Sequence, residues 1–157
     1  MTAAQVIEEI DDAVVRRWCQ RCAEVLGEAR TEIDALNVFP VPDGDTGTNL
    51  HLTLLAAVEA LEALPRDAGP ERTWQTLARG MLLGARGNSG VIVSQAVRGL
   101  AEVLRQGRGR AEDLARGLAR AAELARHAVV RPVEGTVLTV LDAAAAAGWR
   151  TVGVARP

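Results

Sequence analysis

Two aspartates, Asp43 and Asp45, lie two residues apart in a segment rich in proline and glycine. Pro40 and Pro42 restrict the backbone just before them, and Gly44 allows the chain to turn between the two carboxylates. A helix can begin directly after Asp45. Carboxylate oxygens are hard ligands for Mg²⁺, and the free amides of a helix start bind phosphate. The segment therefore predicts a site for a magnesium–phosphate complex.

A second segment, residues 84–90, carries three glycines at intervals of three, with Asn88 and Ser89 between the last two. It follows a third predicted helix and precedes a fourth, and free amides in such a turn form an anion site. A tight connection between two packed helices explains the same pattern without any ligand. A third glycine-containing helix start follows at Gly135 and Thr136.

The composition limits the classes of function. The 157 residues are 48% hydrophobic and 3% aromatic, which predicts one globular domain with an aliphatic core. All 18 basic residues are arginine, so a phosphate-binding loop that needs lysine is excluded. The net charge is −2 and no basic cluster is present, so we expect no nucleic-acid partner. No stretch is apolar for long enough to predict a transmembrane helix, and we expect a cytoplasmic protein.

Apolar residues recur with helical periodicity in six segments. A capping pattern at Thr2–Gln5 and an apolar stripe through Val6 and Ile10 predict a first helix that ends near Leu36. The other predicted helices start at Thr46 or Thr48, at about Trp74, at Val91, at about Ala111 and at Val137. We predict an all-α fold, an antiparallel up-and-down bundle or barrel. In that arrangement the turns between helix pairs 1–2, 3–4 and 5–6 share one end of the bundle.

The cysteine pair and the aspartate pair also fit other kinds of site. The Cys19–Cys22 spacing is that of a thioredoxin redox motif, but it lies inside a predicted helix, which favours packing. The Asp-x-Asp pair also occurs in haloacid-dehalogenase-type phosphatases, which need a parallel sheet and a lysine. An EF-hand needs a closing Glu that is absent after Asp45. A solvated turn without a cation stays open, and His51 and His127 are expected at surface or boundary positions.

Residues 36–49, 84–92 and 132–136 together resemble the nucleotide-binding L domain of dihydroxyacetone kinase, most closely the N-terminal domain of bacterial fatty acid kinase. The resemblance covers roughly residues 10–141. It implies an antiparallel barrel of eight helices that binds ATP and two Mg²⁺ ions at one end. Six of the eight helices can be identified in this sequence.

The resemblance also implies roles for individual residues. Asp43 and Asp45 match metal-binding aspartates, and Asn37 lies near the position of a third ligand. The residues that match the phosphate and nucleotide loops are Thr46, Thr48, Asn49, Gly87, Asn88, Ser89, Gly90, Gly135 and Thr136. No residue of this chain matches a catalytic group. A change at Asp34, still on the first helix, is expected to do little.

In such kinases another domain or subunit holds the phosphoryl acceptor. The resemblance implies a fatty acid carboxylate held by a fatty-acid-binding protein, giving an acyl phosphate, or else dihydroxyacetone. A module that binds nucleotide or a partner without chemistry stays open as the alternative. We expect residues 1–147 to form a C-terminally truncated ATP-binding domain, with residues 148–157 as an unassigned tail. Such a domain is expected to be inactive alone and to self-associate through uncovered apolar faces.

Overall fold

The computed structural model describes residues 9–38 and 42–153, and six α-helices make up most of this part of the chain. They are α1 (Asp12–Leu36), α2 (Thr46–Glu62), α3 (Pro70–Leu83), α4 (Gly87–Leu104), α5 (Ala111–His127) and α6 (Val137–Thr151). No β-strand occurs within the described residues. The predicted all-α fold is therefore confirmed. None of these six helices is long and apolar enough to cross a bilayer.

The first helix begins later than its apolar stripe predicts. The carboxylate of Asp11 accepts a hydrogen bond from the amide of Val14 at 2.8 Å, and this cap starts α1 at Asp12. Ile10 precedes the helix, and its amide donates to the carbonyl of Gly109 at 2.9 Å. The prediction that Ile10 is helical is therefore wrong. The predicted capping pattern at Thr2–Gln5 lies outside the described residues.

The fourth helix begins earlier than predicted, at Gly87 instead of Val91. The C-cap of α3 is Gly84, so only Ala85 and Arg86 separate it from α4. Glycine lowers the helix propensity of residues 87–90, which is why the sequence pattern assigned them to a turn. Gly87 and Gly90 therefore lie in the first turn of α4, and Gly84 ends α3.

Successive helices pack side by side, and α2 also packs against α4. The larger core cluster contains residues of α1, α2, α3 and α4, and a smaller cluster contains residues of α4, α5 and α6. Among the described helices, α6 packs against α5 alone, and α1 does not pack against α5 or α6. An apolar groove of about 680 Å³ separates α1 from α5, with Trp18 and Leu114 on its walls and Trp74 among its lining residues. The described helices thus form an open row.

The two cysteines behave as packing residues. Cys19 is fully buried in the larger cluster, and burial, together with the neighbouring Cys22, raises the pKa of its thiol to about 12. A redox-active cysteine needs a lowered pKa and access to solvent. Both cysteines are free thiols inside α1. The packing interpretation of this pair therefore holds.

The sixth helix crosses the boundary expected at residues 147–148. It continues to Thr151, and the side chain of Trp149 is buried. A Cβ atom at Gly148 would lie 3.3 Å from the Cα atom of Ala115, so α5 and α6 approach each other closely there. Residues 154–157 of the expected tail lie outside the described residues.

One buried carboxylate organises the turn between α4 and α5. Asp113 accepts hydrogen bonds from the amides of Arg108 at 2.8 Å and Arg110 at 3.3 Å, and from the guanidinium of Arg116. Burial disfavours the charged form of Asp113. The hydrogen bonds from Arg116, Arg110 and Arg108 outweigh that effect and hold the pKa of Asp113 below its usual range.

Replacing Asp113 should destabilise the fold. Asp113→Ala leaves two turn amides without their acceptor, and we expect the free energy of unfolding at pH 7 to fall by about 1–3 kcal/mol. Because the folded pKa is depressed, this contribution is present above the unfolded value of about 3.9 and is lost as the pH falls through the folded pKa. Urea unfolding of both proteins at several pH values measures it. A stability difference that stays constant from pH 7 to pH 3 would contradict this account.

Candidate functional site

The starts of α2, α4 and α6 lie at the same end of the row, with α4 in the middle. α4 packs against α2 on one side. On the other side, Ile92 and Ala96 of α4 belong to one cluster with Val129 and Leu138, which flank the α5–α6 turn. The three segments singled out in the sequence therefore occupy neighbouring places: residues 42–49, residues 84–90 and residues 129–136.

Side chains from the end of α1 hold the start of α2. The Oδ1 atom of Asn37 accepts hydrogen bonds from the amide of Thr46 at 3.1 Å and from the Thr46 hydroxyl. The N-cap residue of α2 is Asp45, whose own side chain makes no capping bond. The prediction that Thr46 or Thr48 caps this helix is therefore wrong, because the capping acceptors come from α1.

Asp34 completes this junction. Its carboxylate accepts from the Thr48 hydroxyl at 2.7 Å and from the Thr48 amide at 3.0 Å. The hydrogen bond from the Thr48 hydroxyl, with smaller contributions from the Thr48 and Gly47 amides and Arg30, holds the pKa of Asp34 below its usual range. The sequence pattern gave Asp34 no role in the site, and a change there was expected to do little. The available signal was its position three residues before Asn37, which also holds the start of α2.

The helices α1 and α2 approach each other very closely behind this junction. A Cβ atom at Gly47 would overlap the backbone carbonyl of Arg30. Further along, Nδ1 of His51 lies 3.0 Å from the carbonyl oxygen of Ala23, and a Cβ atom at Gly27 would lie 2.8 Å from the His51 ring. His51 is therefore a half-buried packing residue.

The two aspartates of the turn are exposed. Within residues 9–38 and 42–153, neither the Asp43 nor the Asp45 carboxylate makes a hydrogen bond or an ion pair. The backbone of the turn is fixed instead: the Asp45 carbonyl accepts from Asn49 N at 2.8 Å, and Gly44 has a φ of +61°. The described residues contain no group of three or more acidic, His or Cys side chains that could hold a metal. A Mg²⁺ ion here would take its remaining ligands from phosphate and water.

The start of α4 packs closely against α2, and glycines at the contact allow the close approach. Gly87 adopts a φ of +58°, and a Cβ atom there would overlap the Asn49 amide group. A Cβ atom at Gly90 would overlap Oγ1 of Thr53. That same hydroxyl accepts from the amide of Arg86 at 3.0 Å and donates to the carbonyl of Asn49 at 2.7 Å. The contact fixes the position of residues 86–90 relative to the aspartate turn.

The α4 start keeps free hydrogen-bond donors. It has no side-chain cap, and within the described part of the chain nothing accepts from the amides of Gly87, Asn88 or Ser89. Helix-start amides of this kind, with the positive end of the helix dipole, attract anions. Arg86, the N-cap residue, is exposed and has no ion pair among the described residues. The sequence analysis had given Arg86 no role.

The α5–α6 turn is internally bonded. The Thr136 hydroxyl caps α6 by accepting from the amide of Leu138 at 3.3 Å, and the amide of Gly135 donates to the Thr139 hydroxyl at 2.9 Å. Arg126 of α5 forms ion pairs with Glu134, at 3.7 Å, and with Asp142 of α6. Gly135 is exposed, with a φ of +78° and open space where a Cβ would lie. His127, at the end of α5, is exposed as expected.

Comparison with known proteins gives one family and several relatives. The family model described as the DAK2 domain matches residues 40–152. An uncharacterized protein of Staphylococcus saprophyticus is 41% identical over 145 residues, covering 90% of this chain and 26% of that protein. Protein YloV of Bacillus subtilis is 43% identical over 124 residues, covering 78% of this chain and 22% of YloV. The chain thus spans about a quarter or less of the length of these relatives.

The fit between α2 and α4 can be tested by mutation. Gly90→Ala gains helix propensity but forces its Cβ against Oγ1 of Thr53, and we expect a net loss of about 1–3 kcal/mol in unfolding free energy. Thr53→Ala removes the obstructing atom, so the double variant should be more stable than the sum of the two single losses predicts, by at least about 0.5 kcal/mol. Chemical unfolding of the four proteins gives the coupling energy. Strict additivity would contradict the close contact.

Proposed function

The chain belongs to the DAK2 domain family, the nucleotide-binding L-domain family of dihydroxyacetone kinases, and we propose that it binds ATP with Mg²⁺ as one part of a phosphotransferase. The observation that carries the proposal is the pairing of unlike groups across one short interface. Within the described part of the chain, two carboxylates without a partner lie on the α2 side, and uncapped amides lie on the α4 side. A metal–phosphate complex needs both of these at once.

In this proposal Asp43 and Asp45 bind Mg²⁺, which neutralises charge on the phosphates when it is bound. The amides of Gly87, Asn88 and Ser89 donate to phosphate oxygens, with Gly90 keeping the loop close to α2. Arg86 supplies a fixed positive charge beside them, since the chain has no lysine for that role. Phosphoryl transfer depends mainly on positioning and charge neutralisation, so a domain without a catalytic base can serve it.

Four of the expected ligands are proposed to have a supporting role. Thr46 and Thr48 already donate their amides and hydroxyls to Asn37 and Asp34, so we propose that they shape the α2 start. Asn49 supports Gly87 from behind. Asn37 contributes a neutral oxygen that is already bonded to Thr46, and its proposed role is to hold the aspartate turn. Gly135 and Thr136, on the far side of α4, are proposed to face the nucleoside.

The acceptor is proposed to come from a partner. Domains of this family work with a partner domain. The chain spans about a quarter or less of the relatives it matches, which leaves ample sequence in those proteins for other functions. We propose that the acceptor is a fatty acid carboxylate held by a fatty-acid-binding protein, with dihydroxyacetone as the other candidate. The proposed location is the cytoplasm, and self-association of the chain stays a prediction.

Magnesium-dependent ATP binding is the first test. We expect calorimetric titration to show ATP binding with Mg²⁺ and at least tenfold weaker binding in EDTA. Asp43→Asn and Asp45→Asn should each abolish magnesium-dependent ATP binding. Because the two carboxylates repel each other without a cation, the folded state should be unchanged or slightly more stable without metal. Asp67→Asn, an exposed aspartate in the turn between α2 and α3, is the matched control and should bind like the original chain. Unchanged Mg-ATP affinity in both turn variants would remove the metal site.

A second test separates the kinase from a module that only binds nucleotide. Because the acceptor is proposed to be held by a partner and the chain has no lysine, the chain alone should form no acyl phosphate from oleate and ATP. With the oleate-loaded fatty-acid-binding protein added, hydroxylamine trapping should detect acyl phosphate above the background of either protein alone. Turnover by the chain alone would place the acceptor site within it. Absence of product with the loaded binding protein would favour the binding module.

A further inference from the structure

Asp34 bonds the segments on both sides of the aspartate turn and lies close to the turn itself. Its carboxylate takes both donors of Thr48, at the beginning of α2. Its backbone carbonyl accepts from the amide of Asn37 at 3.2 Å. The same carbonyl oxygen lies 3.6 Å from where a Cβ of Gly44 would be, at the centre of the turn. One residue thus contacts the end of α1, the turn and the start of α2.

The turn has few other anchors. Within the described residues, Asp45 is held by the bond from Asn49 N to its carbonyl, and Thr46 by Asn37. The acceptor of the Thr46 bond, Asn37, is the C-cap residue and lies just outside α1. Among the described residues, the bonds between Asp34 and Thr48 are therefore the side-chain hydrogen bonds that join α1 itself to the start of α2, beside the turn that carries Asp43 and Asp45.

The negative charge of Asp34 has a second effect. Helix starts attract anions, and the start of α2 already holds one in the form of this carboxylate. A phosphate approaching α2 would meet occupied donors and a like charge, whereas the amides at the start of α4 are uncapped. The two neighbouring helix starts therefore favour ions of opposite charge: the start of α2 favours cations, and the start of α4 favours anions.

We infer that Asp34 is a positioning residue, which sets the place of the Asp43–Asp45 turn and reserves the α2 start for metal. This inference rests on the proposed function and names a residue that does not itself touch metal or nucleotide. A displacement of about 1 Å in such groups is enough to weaken a bound complex severely. The charged acceptor also forms stronger hydrogen bonds than a neutral one.

The test compares Asp34→Ala, Asp34→Asn and the control Glu32→Ala, which removes an exposed carboxylate two residues away on α1. Asp34→Asn keeps an oxygen for one Thr48 donor and loses the charge. ¹⁵N–¹H spectra without nucleotide should show shifted Gly44 and Asp45 amides in Asp34→Ala, smaller shifts in Asp34→Asn and none in Glu32→Ala. Calorimetry should show Mg-ATP affinity reduced at least tenfold in Asp34→Ala and by a smaller factor in Asp34→Asn.

The two readouts separate this inference from the proposed function. Unshifted Gly44 and Asp45 amides in a folded Asp34→Ala protein would overturn the positioning role, whether or not ATP binds. Shifted amides with Mg-ATP affinity within twofold of the original would show a structural role only and would also overturn it. If the original chain binds no Mg-ATP, the proposed function fails, and shifted turn amides would still support positioning of the turn. If Asp34→Ala does not fold, the Asp34→Asn spectrum decides by the same criteria.

Discussion

The hydrogen bonds that cross from the end of α1 to the start of α2 are the interaction on which the site depends. α2 has no side-chain cap of its own, so its first donors would be unsatisfied without Asn37 and Asp34. These bonds also bring α1 and α2 so close that only glycine fits at position 47. The packing of α1 against α2 and the shape of the aspartate turn therefore depend on the same hydrogen bonds.

The first amide groups of the three helices are satisfied in different ways, and these differences decide which charges each helix start can bind. α2 is capped by a carboxylate and an amide from another helix, and α6 is capped by its own Thr136. α4, between them, has no side-chain cap and begins at a glycine. Several other arginines support the fold: Arg16 bonds the end of α2, and Arg120 pairs with Glu102 between α4 and α5. Arg86 is left beside the uncapped helix start.

Periodicity was sufficient to predict six helices, because each carries an apolar stripe that the core requires. It failed where local chemistry sets a boundary, as at Asp11, which stops α1 short of Ile10, and at Gly87, where glycines begin α4. The close contacts of Gly87 with Asn49 and Gly90 with Thr53 explain why those glycines are needed. The bonding of Asp34 to Thr48 could not be predicted, because the two residues are 14 positions apart and no helical repeat encodes that distance.

The row of helices is unequal in its attachments, and this has a consequence for motion. Among the described helices, α6 packs side by side with α5 and shares only a small apolar cluster with α4, while α2 is packed between α1, α3 and α4. Local opening costs least where the fewest interfaces must separate, so α6 should detach transiently far more often than α2. Gly135 and Thr136 would move with it. One flank of the proposed site would therefore open and close on its own timescale, while the opposite flank keeps its geometry.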